Sequence, residues 1–297
     1  MKILISGASG LIGSALREFW AKAGHETVCL VRSRPIEGEI HWDPAAQRLD
    51  PAPLEGFDAV VHLAGESIAT GRWTAAKMAR IRDSRVGGTR LLSRTLAGLG
   101  KPPKVFASAS AVGFYGDRGE EAVDEDSPPG AGFMADVCRQ WEAAAQPAAE
   151  AGIRAVQLRF GLVLAPGGGA LGKMLPAFKL GLGGRLGNGR QYMSWITLDD
   201  VVAAVDHVLT TAAIAGPVNL VAPRPATNRD FTAALGRVLR RPTWLPVPAW
   251  ALRMLLGPMA DELLLGGAKV LPQRLLDSGY EFRDPDLAAA LGQVLKR

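Results

Sequence analysis

A doubly wound α/β fold, with a parallel sheet and a smaller, mainly helical substrate-side domain, is predicted by three features of this sequence. Short apolar runs alternate with longer helical stretches through Leu158, the pattern of strands joined by crossover helices. Glycines stand three residues apart where the first apolar run meets the first helix. Beyond Arg159 the chain becomes glycine-rich and then mainly helical, which sets a second unit beside the sheet.

The elements follow in order. Residues 2–6 (KILIS) form an apolar run that reads as a buried strand. GASGLIG comes next, then an amphipathic helix with Leu11, Ile12, Ala15, Leu16, Phe19 and Trp20 on one side and Gly24 as its stop. Strands are expected at 27–31 (TVCLV), 39–42 and 58–63 (DAVVHL). A long helix at about 74–99, a fifth strand at 104–109, a helix within GAGFMADVCRQWEAAA and a sixth strand near 155–158 complete the alternation. The glycines at 167–169 and the run LGLGGRLGNG predict loops outside any core. In WITLDD, Thr197 stands three residues before Asp200, a capping box opening the helix VVAAVDHVL, and PVNLVA is a further strand candidate. The expected division is 1–165, with 196–222 returning to it, against a smaller unit of 166–195 and 223–297.

Composition narrows the function classes. With 48% apolar residues in 297, a large core is expected. The net charge of +5 is a small surplus spread over many helices, and the arginines from Arg80 to Arg94 fall at helical spacing. No dense basic stripe with interleaved aromatics points to nucleic acid. Cys29 and Cys138 give no disulfide framework, the four histidines no ligand spacing, and no metal is expected. The chain starts in a strand rather than a secretory leader, and the apolar run from Trp250 to Leu265 is too interrupted to span a bilayer. A cytoplasmic protein is expected. Its partner would be a small-molecule substrate, without nucleic acid or membrane, and a homodimer stays open.

Gly7, Gly10 and Gly13, between a strand and a helix, suit a dinucleotide pyrophosphate, which needs a tight turn, close backbone approach and a helix N-terminus. At the end of the second strand an NAD site places a carboxylate for the ribose hydroxyls; here stand Arg32, Ser33 and Arg34. A guanidinium binds a 2′-phosphate that a carboxylate would repel, so NADP(H) is the expected cofactor. The alternative is an Arg32 that only faces solvent.

Taken together, GASGLIG, DAVVHLAGE, SASAVGFYG and LRFGLVL resemble the extended short-chain dehydrogenase/reductases, which are Rossmann-like. IHWDP, IRDSRVGGTRLL, LGLGGRLGNGRQYMSWI and LPQRLLDSGYEFRDPDLAAAL narrow the resemblance to the atypical subgroup called epimerase family proteins, with a C-terminal domain of unknown function at about 246–293. The resemblance covers nearly the whole chain. It implies that Gly7, Ala8, Ser9, Gly10, Leu11 and Ile12 wrap the pyrophosphate and that Arg32 reads the 2′-phosphate. It also implies that Leu63 and Ala64 underlie the adenosine half, Arg85 reaches the cofactor and Val163 lies near the nicotinamide. Leu63, Ala64 and Val163 read equally as core, and Arg85 as a surface charge.

The wider family uses a tyrosine and, four residues later, a lysine that lowers the phenol's pKa for proton exchange. Phe133 and Val137 occupy those positions here, and neither transfers a proton. Ser108 and Ser110, Tyr115, and the carboxylates of Asp136 or Glu66 are the candidate substitutes, against plain readings as strand-end caps, packing and helix polarity. Glu66, Arg190, Tyr192 and Trp195 are expected around the substrate. An NADP(H)-dependent oxidoreductase or epimerase acting on a small carbonyl, hydroxyl or sugar-like compound is expected. The alternative is a non-catalytic NADP(H)-binding regulatory or sensor protein.

Overall fold

Strand β1 (Lys2–Ser6) carries apolar side chains on both faces because both are covered, as in parallel sheets with helices on each side. In the computed structural model, which describes residues 1–296, it pairs in parallel with β2 (Glu26–Val31) and with β5 (Ala59–His62). Outside β2 lie β3 (Glu39–Asp43) and the antiparallel β4 (Arg48–Leu49); outside β5 lie β6 (Val105–Ala111), β8 (Arg154–Phe160) and β12 (Gly216–Leu220). The chain leaves β1 toward one edge and returns to its other side at β5, so a crevice opens between the carboxyl ends of those strands.

Helix α1 (Leu11–Lys22) buries Leu16 and Trp20 against Ile3, Ile5 and Val61, together with α6 (Leu198–Thr210). Each such side chain contributes about 2–3 kcal/mol by burial. Trp20 Nε1 donates to Asp206 at 3.0 Å, joining the two helices. Thr197 caps α6 by accepting from Asp200 N, as the capping box predicts, and Arg154 donates to the Val208, Leu209 and Ile214 carbonyls at its far end. The opposite face is covered by α2 (Ala75–Ala97), α3 (Phe133–Ala143) and α4 (Gln146–Glu150), where Leu92, Leu96 and Ala148 meet Leu4, Val60 and Phe106.

A further apolar cluster joins α5 (Gly169–Lys179), α7 (Asn228–Leu239) and α11 (Leu287–Lys296) around Leu171, Phe178, Phe231 and Leu291. Between them come α8 (Ala249–Leu256), the short turn α9 (Pro258–Ala260) and a π-helical turn, Asp261–Leu265.

Two expectations need correction. The run LGLGGRLGNG is not wholly outside the core. A Cβ on Gly183 would lie 2.4 Å from the Phe178 ring and one on Gly184 1.7 Å from the Leu245 carbonyl oxygen, so these glycines let two segments cross. The second concerns the passage after residue 270. Leu275 of α10 (Gln273–Asp277), Tyr280 and Phe282 pack on the main sheet's core, away from the smaller unit. Buried Asp200 fixes that passage by accepting from the Tyr280 hydroxyl and the Arg283 and Asp284 amides. The short ladders β7 (Ala122–Val123) with β14 (Lys269–Val270), β9 (Leu162–Leu164) with β11 (Trp195–Thr197), and β10 (Tyr192–Met193) with β13 (Ala226–Thr227) are too brief to show a sequence period. Among the described residues no helix is long and apolar enough to cross a membrane.

Candidate functional site

At the end of β1 the three glycines do different work. Gly7 has φ +72°, and a Cβ there would stand 2.8 Å from the Leu63 carbonyl carbon. A Cβ on Gly13 would come within 2.3 Å of the Gly7 oxygen, so this glycine seats α1 on the turn. At Gly10 the nearest atom would be 3.3 Å away, and the residue is exposed. The protein itself barely requires glycine there, whereas a group lying on the loop would. Helix α1 has no side-chain cap and no acidic residue in its first turn, which leaves its polar N-terminus open to an anion.

The floor of the crevice is fastened from behind. Ser6 Oγ accepts from the amides of Leu63 and Ala64 at 3.2 and 3.3 Å and lies 2.6 Å from His62 Nδ1. With both acceptor roles used, the hydroxyl donates to Nδ1, and the ring hydrogen resides on Nε2. Burial lowers the His62 pKa to about 4, so the ring is neutral.

Arg32 directly follows β2 and is exposed. Glu66, expected beside the substrate, belongs instead to this end. Its carboxylate meets Lys77 Nζ at 2.6 Å, and that hydrogen bond chiefly holds it below the usual range, with Arg80 and Arg32 adding smaller effects. Arg85 is no surface charge. It is buried, its Nη1 donates to the Glu66 and Ile81 carbonyls at 2.9 and 3.1 Å, and its guanidinium lies 5.0 Å from the Trp141 ring. The Arg85 Nε has no partner.

Beyond β6 the candidate proton carriers separate. Ser110 donates to Glu142 at 2.6 Å, and Glu142 holds Arg159 through two bonds of 2.8 Å. Arg159 donates to the Tyr115 hydroxyl at 2.7 Å, which in turn donates to Asn219 Oδ1 at 2.8 Å. Tyr115 is fully buried, and desolvation pushes its phenol up to about 12. This corrects the reading of Tyr115 as a catalytic group: both its hydrogen-bonding roles are used inside the fold. Asp136 pairs with Arg139 and Gln140 on its own helix. Of these candidates, only Ser108 keeps a buried hydroxyl without a partner among the described residues.

Phe133 opens α3 and packs edge-on against Trp73 at 5.4 Å, and Val137 is fully buried. The amides of Phe133 and Met134 donate to Glu262 at 2.8 and 3.0 Å, so a residue of the π-helical turn caps α3.

That turn closes a cleft of about 510 Å³ between the sheet's carboxyl edge and the C-terminal segment. Its wall combines Val112, Met134, Leu162, Met174, Met193 and Leu264 with polar Gln191, Asn228, Arg253, Asp261 and Glu262, and Tyr192 lies among them. Arg190 is exposed and does not line it. Trp195 is fully buried in the smaller cluster with Nε1 donating to the Arg224 carbonyl, a correction of its expected place beside the substrate. Val163 packs on the main core, while Gly168 and Gly169 lie against Leu11 of the opening turn. Sequence reasoning missed Glu262 and the turn it belongs to. The available signal was the glycine pair after DELLL: a Cβ on Gly267 would stand 2.2 Å from the Tyr192 oxygen.

Residues 3–221 match the NAD dependent epimerase/dehydratase family, and residues 247–294 match a domain of unknown function, DUF1731. An epimerase family protein of Mycobacterium tuberculosis is 44% identical over 296 residues, covering 99% of this chain and 98% of its own. The crystal structure of human epimerase family protein SDR39U1 (isoform 2) with NADPH is similar at a TM-score of 0.92 and 36% identity, covering 100% of both chains. A nucleoside-diphosphate sugar epimerase from Corynebacterium glutamicum gives 0.81 at 35% identity, over 99% of this chain and 58% of that one.

Proposed function

The chain belongs to the NAD dependent epimerase/dehydratase family, and from that premise we propose that it binds NADP(H) and acts as an oxidoreductase on a small, largely apolar carbonyl compound. The observation that carries this reading is the open glycine turn with Arg32 at one end of the crevice and the apolar cleft at the other. The residues fit such a cofactor. Gly10 leaves the loop bare, α1 offers an uncapped N-terminus, and the end of β2 presents Arg32 without a carboxylate. The human relative crystallised with NADPH supports the same choice. A bound nicotinamide supplies or removes a hydride.

The chain's own part is binding and exclusion of water. Leu63 and Ala64, fixed by Ser6, form the floor, and the methionines and leucines of the cleft keep water from a substrate. No Tyr–Lys pair supplies a proton, and Ser108, midway along β6, is the one candidate hydroxyl left uncommitted. Addition of hydride to a plain ketone leaves a strongly basic alkoxide that calls for an acid in the site. A conjugated carbonyl, such as a quinone, leaves a stabilised anion that needs no acid in the site and takes its proton from bulk water on release. The polar side chains on this wall are largely committed within the fold, Glu262 to α3, Arg253 to Asp261, Gln191 to the Leu186 and Leu264 carbonyls and Ser194 to the Ala268 carbonyl, which favours conjugated acceptors over sugars. Two free, buried cysteines fit a cytoplasmic setting.

A sensor without turnover is the second reading, favoured by the committed Tyr115 hydroxyl. Calorimetry with NADPH and NADH on the native protein and on Arg32→Asp tests the cofactor. NADPH affinity is expected to fall at least about tenfold more than NADH affinity, as loss of charge-assisted bonds requires. Equal losses reject the assignment. NADPH oxidation is then followed with quinones, enones and sugar aldehydes; turnover with none, alongside tight NADPH binding, selects the sensor.

A further inference from the structure

The net charge is small over the whole chain, but it is not spread evenly over the surface. Residues 173–198 and 231–260 contain no aspartate or glutamate. These two stretches form one face. Val247 N donates to the Arg185 carbonyl, Gly187 N donates to the Val247 carbonyl, and a Cβ on Gly181 would touch Pro242 at 3.6 Å. Lys179, Arg185, Arg190, Arg237, Arg240 and Arg241 are all exposed on them, and none makes an ion pair among the described residues.

The same face exposes large apolar side chains. Trp244 is 88% and Trp250 65% exposed, and Leu180, Leu182, Met254 and Leu255 are exposed beside them. On α8, Trp250 and Met254 are one turn apart, while Leu252 points into the protein. Scattered apolar residues on a surface need no explanation, but two tryptophans with four aliphatic side chains on segments that carry cations and no carboxylate do.

We propose that this face docks on the surface of an anionic phospholipid bilayer, with Trp244 and Trp250 at the level of the headgroups and the arginines against lipid phosphates. Tryptophan favours that depth because its ring is apolar and its N–H polar, and clustered arginines are drawn to anionic leaflets. A second copy fits less well: an isologous contact would bring these cations against themselves with no carboxylate in either segment to offset them. The docking is peripheral and needs no spanning helix. Leu186 and Arg253, from the same segments, also line the cleft, so docking would turn its mouth toward lipid. The inference stands whether or not the proposed reduction occurs.

Vesicle co-sedimentation of the full chain tests it. Vesicles of phosphatidylcholine with about one-third phosphatidylglycerol should bind at least about tenfold more protein than phosphatidylcholine alone, and about 0.5 M salt should remove most of the difference. Trp244→Ala with Trp250→Ala, and separately Arg240→Glu with Arg241→Glu, should each lower binding about tenfold or more. Both pairs are exposed, so thermal midpoints should match the native protein and exclude misfolding. Absence of sedimentation with either vesicle overturns the proposal. So does binding that survives both pairs, or a concentration-dependent dimer lost in the tryptophan pair without any lipid binding.

Discussion

Replacing Tyr115 with phenylalanine removes one oxygen that two buried groups use. The hydroxyl donates to Asn219 Oδ1 at 2.8 Å and accepts from Arg159 at 2.7 Å, on a side chain with no exposed surface. A neutral bond of this kind is worth about 1 kcal/mol, and one to a charged partner about 1.5–3 kcal/mol, with nothing nearby to replace either. The variant should therefore lose about 3 kcal/mol of stability, roughly 5 °C in thermal midpoint. Its phenol, pushed up to about 12 by burial, stays protonated at neutral pH, and that proton is already donated to Asn219. NADPH affinity, measured by titration, should change less than about twofold, because the hydroxyl's partners are Arg159 and Asn219 and no residue of the glycine turn. Thermal unfolding followed by circular dichroism is the assay. An unchanged midpoint would refute the reasoning, and so would intact stability with turnover lowered a hundredfold.

Gly10→Ala and Gly13→Ala should part company. The new Cβ at 13 would meet the Gly7 oxygen at 2.3 Å and lower the melting temperature, whereas at 10 the gap is 3.3 Å and the fold should survive while NADPH affinity drops at least about tenfold in calorimetry. Acid stability should depend on His62. Its folded pKa of about 4 lies below the ordinary 6.5, so the unfolded chain takes up the proton first; stability is full above about pH 6.5 and falls by about 3 kcal/mol as pH drops to about 4. Urea unfolding at pH 7 and 4.5 should show a smaller acid loss in His62→Asn; an equal loss would assign the effect elsewhere. Glu262→Ala should uncap α3 at a cost of about 1 kcal/mol, seen as faster amide exchange at Phe133 and Met134. Exchange unchanged at those amides would show that the cap contributes nothing.

Much of this was legible along the chain. The strands announce themselves by apolar runs buried on both faces, and Thr197 with Asp200 announces the start of α6. The opening turn is readable because Gly13 answers a steric demand made by Gly7, a few residues away, and Gly7 one made by Leu63, which the strand order brings beside it. Tyr115 was not legible. Its partners, Arg159 and Asn219, are 44 and 104 residues distant, and no local pattern tells a strut from a proton donor. Trp195 has the chemistry of a pocket residue but is sealed in a core, and Glu66 pairs with Lys77 and does not line the cleft.

What the sequence by itself determined was the class of fold, the dinucleotide turn and the loss of the usual tyrosine and lysine, since Phe133 and Val137 cannot carry a proton in any conformation. Those conclusions rest on steric and chemical limits that act over short stretches of chain. Tertiary structure alone decided which polar groups are already satisfied, that Glu262 reaches α3 from the far end of the chain, and that two basic segments far apart in sequence join into one cationic, tryptophan-bearing face. Hydrogen-bond partners and surface potential depend on distance in space, and a one-dimensional pattern does not encode which distant residues share it.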